Sequence, residues 1–247
     1  MSRQKLGQHF LISSSILERI AAAVCPAPPG VVIEIGPGRG ALTEKLLARA
    51  ARVVAIELDP LLVEHLRQKF AGEPRLTIVH ADVLETNLEQ WGAAPVTGNL
   101  PYYITSPILK QTLRGSAPRA VFLIQKEVAE RLVAQPGGRD YGFLTVQTAL
   151  FATARMLFEV KPGAFHPPPK VDSAVVLLEP HRRDWGVDRE GLIEFVGRSF
   201  VHKRKTIRNN LAEFYGKDRV DGWPEARLRA EQLSVEALAA MYARIAR

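Results

Sequence analysis

Short apolar runs alternate with helix-like segments through the first half of the chain, and this alternation predicts its fold. The β-branched run at residues 31–35 leads into a glycine-rich turn, and residues 41–51 and 61–70 then have the composition and spacing of helices. Further strands are predicted at residues 52–57, 76–80, 95–98 and 119–125. Strands that alternate with helices indicate an α/β, Rossmann-like fold with a mostly parallel, doubly wound sheet.

The pattern changes in the second half of the chain. Residues 135–141 indicate a flexible loop, and residues 143–152 have the pattern of a helix. Two more strands, at residues 155–160 and 171–178, bring the predicted sheet to seven strands. Between these strands, residues 165–169 are so rich in proline that we expect no regular structure there.

Charged helical segments replace this pattern after about residue 180. We therefore predict a domain boundary near residues 180–186. The larger domain covers residues 1–180, and a small α-helical domain covers residues 181–247. The length of 247 residues and the 47% hydrophobic content suit one substantial core with a second, smaller unit beside it.

Cysteine usage and hydropathy limit the possible classes of protein. The single cysteine, Cys25, excludes an intramolecular disulfide framework and a cysteine-cluster metal site, and we expect it to be a small buried residue in a reducing compartment. The apolar run after the basic residues 1–5 is short and soon interrupted, so we predict no signal peptide. No stretch has the length and apolar character of a membrane span. We expect a soluble, cytoplasmic protein with no membrane partner.

The charge distribution favours a polyanionic partner. The net charge is +7, and residues 198–208 contain no acidic residue. The basic residues of this segment, which we predict to bind RNA, are Arg198, Lys203, Arg204, Lys205 and Arg208. The alternative interpretation is a solvated helix face that binds nothing.

Four chemically useful residues follow the ends of predicted strands. Gly36, Glu57, Asp82 and Asn99 each come directly, or almost directly, after one of them. Ligands of doubly wound sheets bind outside the carboxyl ends of the strands, so these residues should line a single site.

The glycine-rich turn is compatible with either a dinucleotide or S-adenosylmethionine. Both ligands need a close approach of the backbone and an acid, here Glu57, about 20 residues later for the ribose hydroxyls. The spacing lacks the G-x-G-x-x-G pattern, and Lys45 does not fit a P-loop. Asp82 is well placed to accept a hydrogen bond from an adenine amino group. Together these features favour S-adenosylmethionine over NAD, and we expect no metal.

The run Asn99-Leu100-Pro101-Tyr102 suits methyl transfer to an aromatic amino group. The lone pair of such an amino nitrogen is delocalised, so an enzyme must hold its N–H groups with acceptors. The Asn99 side-chain oxygen and the carbonyl of Leu100 or Pro101 supply acceptors, and Tyr102 supplies a ring on which a base can stack. The alternative is an ordinary turn after a strand.

With these motifs in place, the chain resembles the bacterial small-subunit (16S) ribosomal RNA adenine dimethyltransferases over nearly its whole length. The matching runs are Gln4-Lys5-Leu6-Gly7-Gln8-His9-Phe10-Leu11, Glu34-Ile35-Gly36-Pro37-Gly38, Gly98-Asn99-Leu100-Pro101-Tyr102, Gln125-Lys126-Glu127-Val128-Ala129-Glu130-Arg131-Leu132, Phe165-x-Pro167-x-Pro169-x-Val171-x-Ser173 and Lys203-Arg204-Lys205-Thr206-Ile207-Arg208-Asn209-Asn210-Leu211. The resemblance implies dimethylation of two adjacent adenosines in the 3′-terminal hairpin loop of 16S rRNA, on an immature small subunit. Since nothing in the sequence demands more than a monomer, we expect one.

The resemblance also implies roles for individual residues. Catalytic roles would fall to Asn99, Leu100, Pro101, Tyr102 and Phe165, with the target adenine stacked between Tyr102 and Phe165. The donor site would be formed by His9, Leu11, Gly36, Gly38, Glu57, Asp82 and Asn99. Phe165 has an alternative interpretation as a plain core residue. Tyr103 departs from the pattern, since many relatives have Asn there.

Three other functions compete with this hypothesis. A related adenine methyltransferase acting on large-subunit RNA would share the core motifs, but residues 203–211 resemble the small-subunit enzymes better. A non-catalytic RNA-binding assembly or transcription factor would not need the intact donor and Asn99 motifs. A dehydrogenase is disfavoured by the glycine spacing.

Overall fold

The computed structural model describes residues 9–246, and its strands form one large sheet and one small one. The strands are β1 (Phe10–Leu11), β2 (Val32–Ile35), β3 (Val53–Glu57), β4 (Leu76–His80), β5 (Val96–Asn99), β6 (Ala120–Gln125), β7 (Ala152–Val160), β8 (Phe165–His166) and β9 (Ser173–Pro180). The seven-stranded sheet has the order β4-β3-β2-β5-β6-β9-β7, and β1 pairs with β8 separately.

Helices connect the strands and make up most of the last third of the chain. They are α1 (Ser14–Val24), α2 (Ala41–Leu47), α3 (Pro60–Lys69), α4 (Thr105–Arg114), α5 (Lys126–Val133), α6 (Phe143–Ala149), α7 (Arg189–Ser199), α8 (Ile207–Tyr215), α9 (Lys217–Asp221) and α10 (Val235–Ala243). Within residues 9–246, no helix combines the length and the apolar character that crossing a membrane requires.

The large sheet confirms the predicted α/β class. Strands β4, β3, β2, β5 and β6 run parallel, whereas β9 is antiparallel to β6. Chain order reverses at β2, which lies between β3 and β5, so a crevice opens at the carboxyl ends of these strands. The side chains of β2 and β3 are buried throughout, as in parallel sheets covered on both faces, whereas those of the edge strand β4 are half-buried or exposed.

Glycine is required where β5 passes β2. A Cβ atom on Gly98 would lie 2.3 Å from the Ile35 carbonyl oxygen, closer than any real contact. The two strands can therefore approach only because residue 98 has no side chain. This close approach brings Asn99, the next residue, to the crevice beside the glycine turn.

Several elements differ from the sequence predictions, most clearly in three regions. Helix α2 ends at Leu47 rather than extending to residue 51, and β7 begins at Ala152, which we had expected in a helix. Phe165 and His166, expected to be irregular, pair with β1 as β8. Their backbone N–H groups are available because the prolines begin only at Pro167. Residues 4–8 of the N-terminal motif lie outside the described part of the chain.

Packing divides the described chain into two compact units. The first contains residues 9–129 and 154–180, and the second contains residues 130–153 and 181–246. The break at residue 180 lies at the predicted boundary, but residues 130–153, which the sequence placed in the larger domain, pack with the second unit. Tyr141 illustrates this grouping, since its buried hydroxyl donates to the Leu233 carbonyl at 2.8 Å. The functional division into residues 1–180 and 181–247 stays a prediction.

Each unit has its own core. In the first unit, one face of α1 packs on the sheet, and Cys25 lies in this apolar cluster as a buried free thiol. Burial raises the pKa of the Cys25 thiol to about 11. In the second unit, Phe195 is fully buried, with its ring centroid 5.6 Å from that of Tyr242 and 5.8 Å from that of Tyr215.

One carboxyl group is buried in the centre of the large sheet. Glu34 on β2 is 1% exposed and accepts a hydrogen bond from the Thr43 hydroxyl at 2.6 Å. Burial raises the pKa of the Glu34 carboxyl to about 7, although the hydrogen bond from Thr43 opposes the shift; the nearby Glu57 charge adds to it. Since an unfolded glutamate has a pKa of about 4.3, folding favours the protonated form of Glu34.

We predict that Glu34→Gln changes the pH dependence of stability. The stabilising contribution of Glu34 is complete below about pH 4.3 and is lost as the pH rises through about 7. An amide stays neutral and can still accept from Thr43. Between pH 5 and pH 8 the unfolding free energy of the variant should therefore rise relative to wild type by about 2 to 3 kcal/mol.

Urea unfolding at both pH values measures this difference. Glu213→Gln, which replaces an exposed carboxylate by the same chemical change, is the control. A wild-type-minus-variant difference that is the same at pH 5 and pH 8 would contradict the prediction.

Candidate active site

A cavity of about 380 Å³ opens at the carboxyl ends of β2, β3 and β5, within the size range of small-molecule sites. Its lining includes the following residues predicted from the sequence: His9, Leu11, Gly36, Gly38, Glu57, Asn99, Leu100, Pro101 and Tyr102. The structure thus brings together most of the predicted donor and catalytic residues, all within the first compact unit.

The Glu57 carboxylate fixes the floor of the cavity. One of its oxygens accepts from the Gly38 backbone N–H at 3.1 Å, and the other accepts from the N–H groups of Leu58 and Asp59 at 2.9 and 3.0 Å. Each carboxylate oxygen can accept more than one hydrogen bond. Glu57 can therefore hold the turn and still accept hydrogen bonds from ribose hydroxyls.

The glycine turn leaves its backbone open to a ligand. Gly36 has φ +65°, and the nearest atom to a Cβ built there is the Asn99 carbonyl oxygen at 3.9 Å. The Phe10 ring covers Gly38, because a Cβ at that glycine would lie 3.0 Å from it. The Arg39 guanidinium lies 4.8 Å from the centroid of the same ring. The N-terminal strand therefore packs directly on the turn.

The Asn99 side chain is held in one orientation. Its Nδ2 group donates to the His9 carbonyl at 2.8 Å, which leaves the side-chain oxygen to accept from a ligand. The Pro101 carbonyl already accepts from the Ile104 N–H and the Thr105 hydroxyl, both at 3.1 Å. Of the two carbonyls considered from the sequence, that of Leu100 is therefore the one better placed to accept from a substrate.

Tyr102 is anchored at its hydroxyl. This group lies 3.0 Å from the Ser173 hydroxyl, and Ser173 is 1% exposed. The ring of Tyr102 lines the cavity. Sequence reasoning did not assign Ser173 a role, although Ser173 is part of the motif that carries the resemblance.

Phe165 is absent from the cavity lining, so the stacking role that the resemblance implies for it stays a prediction. It is 4% exposed and packs in the core cluster that includes Leu11 and Leu17. The reason is the pairing of β8 with β1, since successive strand residues point to opposite faces. His166, which the sequence did not single out, lines the cavity instead.

Asp82 also lies outside the cavity lining. One of its carboxylate oxygens accepts from the Leu84 N–H at 2.9 Å and so caps the short 3₁₀ helix Val83–Glu85. Asp82 is half-buried and closely follows β4, next to β3 in the sheet. Its expected contact with the donor adenine stays a prediction.

The basic residues predicted to bind RNA lie in the second unit and differ in their contacts. Arg198 pairs with Glu194 and donates to the Tyr215 hydroxyl, and Arg208 pairs with Asp221. The remaining three are exposed, and among them the ammonium of Lys203 donates to the Arg139 carbonyl at 2.8 Å. The other two are Arg204 and Lys205.

The cavity fits S-adenosylmethionine on its own chemistry. Glu57 supplies a fixed carboxylate for hydroxyl groups, and the open backbone beside Gly36 permits close approach of the methionine part. Asn99 also lines the cavity, and its side-chain oxygen is available to a positively charged donor. Within residues 9–246, no group of three or more His, Cys, Asp or Glu side chains could hold a metal ion.

Curated sequences resemble this chain over nearly its full length. A "Ribosomal RNA small subunit methyltransferase A" from Acidobacterium capsulatum is 44% identical, covering 97% of this chain and 90% of its own length. A protein of the same name from Pseudomonas fluorescens is 39% identical, covering 96% of this chain and 91% of its own.

Solved structures share the fold. A dimethyladenosine transferase from Plasmodium falciparum has a TM-score of 0.81 and 26% identity, covering 96% of this chain and 98% of its own. The 23S rRNA methyltransferase ErmE has a TM-score of 0.75 and 28% identity, covering 96% of this chain and 100% of its own. Both likenesses confirm the Rossmann-like methyltransferase fold.

The sequence model described as "Ribosomal RNA adenine dimethylase" matches residues 1–247. Together with relatives at 39–44% identity over nearly the whole chain, this match shows that the chain belongs to the ribosomal RNA adenine dimethylase family.

Proposed function

We propose that this protein dimethylates the amino groups of two adjacent adenosines in the 3′-terminal hairpin loop of 16S rRNA. In this proposal it acts as a cytoplasmic monomer on an immature small ribosomal subunit. Its family identifies it as an S-adenosylmethionine-dependent rRNA adenine dimethyltransferase. The observation that carries the proposal is the Asn99 side chain, held by the His9 carbonyl at the cavity beside the glycine turn.

The names of the relatives favour the small subunit as the source of the RNA. Two relatives named for the small subunit are 44% and 39% identical to this chain, whereas the 23S enzyme ErmE is 28% identical. The same fold serves both RNAs, so fold alone does not decide between them. Large-subunit RNA therefore remains the competing substrate in the test below.

S-adenosylmethionine supplies a methyl group on a positively charged sulfur. The S–CH₃ bond breaks as an N–CH₃ bond forms, the sulfur keeps the electron pair, and the amino proton passes to solvent. Asn99 and the Leu100 carbonyl would accept from the amino N–H groups and so direct the nitrogen lone pair towards the methyl group. Since neither residue exchanges a proton, the protein would act through orientation and exclusion of water.

The remaining site residues would hold the two ligands. His9, Leu11, Gly36 and Gly38 would border the donor, and Glu57 would accept from its ribose hydroxyls. Asp82, which has one carboxylate oxygen committed to the Leu84 N–H, would use the other for the donor adenine. These roles follow the resemblance and agree with the cavity lining except for Asp82.

The second unit would bind the RNA backbone. Arg204 and Lys205 directly follow Lys203 in the chain, and both are exposed. Exposed cations are well suited to phosphate contacts. Arg198 and Arg208 already pair with acids. Their contribution to RNA binding would therefore require exchange of an existing ion pair.

We expect the purified protein to label small-subunit particles from a strain that lacks the modification, with tritiated S-adenosylmethionine as donor. Four methyl groups per particle would match two dimethylated adenosines. The measurement is tritium incorporated per particle, and particles already modified are the control. Labelling confined to large-subunit RNA would refute the proposed substrate.

We predict that Asn99→Ala lowers kcat by about 100-fold or more, the usual cost of removing one preorganised polar contact to a transition state. RNA binding should be retained, because Asn99 lies in the first unit and the proposed RNA contacts in the second. Single-turnover methylation and particle binding measure the two effects separately. Asn87→Ala, which removes an amide that caps a 3₁₀ helix, is the matched control, and substantial turnover by Asn99→Ala would refute the role.

We predict that Arg204→Ala and Lys205→Ala each weaken particle binding and reduce its salt dependence. Each lost phosphate contact should lower the slope of log K against log salt by about 0.7 to 0.9. Binding measured between 50 and 200 mM salt, roughly the range over which such contacts weaken, gives the slope. Lys217→Ala removes one exposed cation of the same unit as a control, and slopes unchanged in the Arg204 and Lys205 variants would contradict the prediction.

A further inference from the structure

Gln111 on α4 reaches across to the turn that follows β4. Its Nε2 group donates to the backbone carbonyls of Val83 and Thr86, both at 2.8 Å. Because a carbonyl only accepts, these two contacts decide which end of the amide faces the turn. One side chain thus holds both ends of the short 3₁₀ helix Val83–Glu85 against α4.

Asp82 directly precedes this 3₁₀ helix and is bound to the turn twice. Its carboxylate accepts from the Leu84 N–H at 2.9 Å, and its backbone carbonyl accepts from the Thr86 hydroxyl at 2.7 Å. The position of the Asp82 carboxylate is therefore tied to that of the 3₁₀ helix. A movement of the 3₁₀ helix away from α4 would move the carboxylate with it.

Helix α4 is itself anchored at the other side of the site. The hydroxyl of Thr105, its first residue, donates to the Pro101 carbonyl at 3.1 Å, and the inward face of the helix is buried. Gln111 comes six residues after Thr105, which is about 9 Å along an α-helix. The helix therefore sets the spacing between the motif at residues 99–102 and the turn that carries Asp82.

Stability alone does not explain a glutamine at this position. The Oε1 atom of Gln111 is buried and has no hydrogen-bond partner within residues 9–246. A buried acceptor without a partner is destabilising, which offsets part of the gain from the two Nε2 hydrogen bonds. What the side chain supplies is the position of the turn rather than a large gain in stability.

From these contacts we propose that Gln111 is a positioning residue for the donor. It holds Asp82 where its carboxylate can accept from the adenine amino group of S-adenosylmethionine. Gln111 is not among the residues that line the cavity, so it acts through the turn. The inference rests on the proposed function, in which Asp82 binds the donor adenine. It gives α4 two roles, since the helix that begins beside the Asn99 motif also fixes the adenine end of the donor site.

The test measures how strongly the protein discriminates adenine from purine. The two ligands are S-adenosylhomocysteine and its analogue with purine in place of adenine, which lacks only the amino group, and calorimetry gives both affinities. Wild type should bind the first about 10-fold or more tightly, the usual value of a hydrogen bond to a charged group. Gln111→Met has nearly the same length but no N–H groups, and it should reduce this ratio to about threefold or less.

Two further variants show whether Gln111 acts through Asp82. Asp82→Ala should lose the discrimination as well, and adding Gln111→Met to it should cause no further loss, because both residues act on the same contact. Gln90→Met is the matched control, since Gln90 is exposed and donates to the Asn87 carbonyl at 2.8 Å in the next 3₁₀ helix. This control should keep the wild-type ratio.

Stability and turnover separate positioning from a general structural role. The thermal midpoint of Gln111→Met should stay close to that of wild type, since the buried oxygen without a partner is removed together with the two hydrogen bonds. On small-subunit particles that lack the modification, the variant should raise KM for the donor about 10-fold and keep kcat within about threefold of wild type, as expected when only binding is lost.

Several outcomes would overturn the inference. Gln111→Met that discriminates as well as wild type excludes the positioning role, and so does an equal loss of affinity for both ligands with a lower thermal midpoint. Wild type that fails to discriminate refutes the contact between Asp82 and the donor adenine, and this inference with it. If the ratio falls as expected in Gln111→Met but wild type labels no small-subunit particles, the proposed substrate is refuted and the role of Gln111 is supported.

Discussion

The site depends on the carboxylate of Glu57. This one side chain joins the turn after β2, the end of β3 and the start of α3 through backbone N–H groups at 2.9–3.1 Å. A turn rich in glycine is conformationally free in the unfolded chain, so ordering it is costly. The carboxylate offsets that cost and presents the backbone of Gly36 to the cavity. The floor of the donor site is therefore a consequence of one acid at the end of a buried strand.

The roof of the site has a different origin. It comes from β1 and β8, two-residue strands from distant parts of the chain that pair with each other in a separate small sheet. In this pairing the Phe165 side chain lies in the core and that of His166 lines the cavity. The pairing also brings the His9 carbonyl within hydrogen-bond distance of the Asn99 side-chain amide. Local sequence motifs thus form the floor of the cavity. The long-range pairing of β1 with β8 positions the His9 carbonyl, which in turn orients Asn99, the side chain proposed to hold the base.

The contrast between local motifs and long-range contacts explains which parts of the site could be predicted from the sequence. Gly36, Glu57 and Asn99 lie at or directly after the ends of strands whose apolar runs are visible in the sequence. As predicted from that position, all three line one cavity. Phe165 lies in the core rather than at the cavity, because the direction of its side chain is decided by its pairing with Leu11, over 150 residues away. The stacking role implied by the resemblance stays a prediction. For the same reason, periodicity placed residues 143–149 correctly in a helix but could not show that they pack with the second unit. Contacts between residues that are far apart in the sequence produce no local hydrophobic periodicity from which they could be predicted.

The pairing of β1 with β8 also has a consequence for synthesis of the protein. His9 and Pro167 are 158 positions apart, so the first described residues leave the ribosome long before their partners do. A nascent chain that ends before residue 165 contains the glycine turn, Glu57 and Asn99 but lacks the strand against which β1 pairs. The cavity can therefore reach its final form only after about two-thirds of the chain has been translated. An enzyme that modifies ribosomal RNA is in this way incomplete for most of the time that it is itself attached to a ribosome.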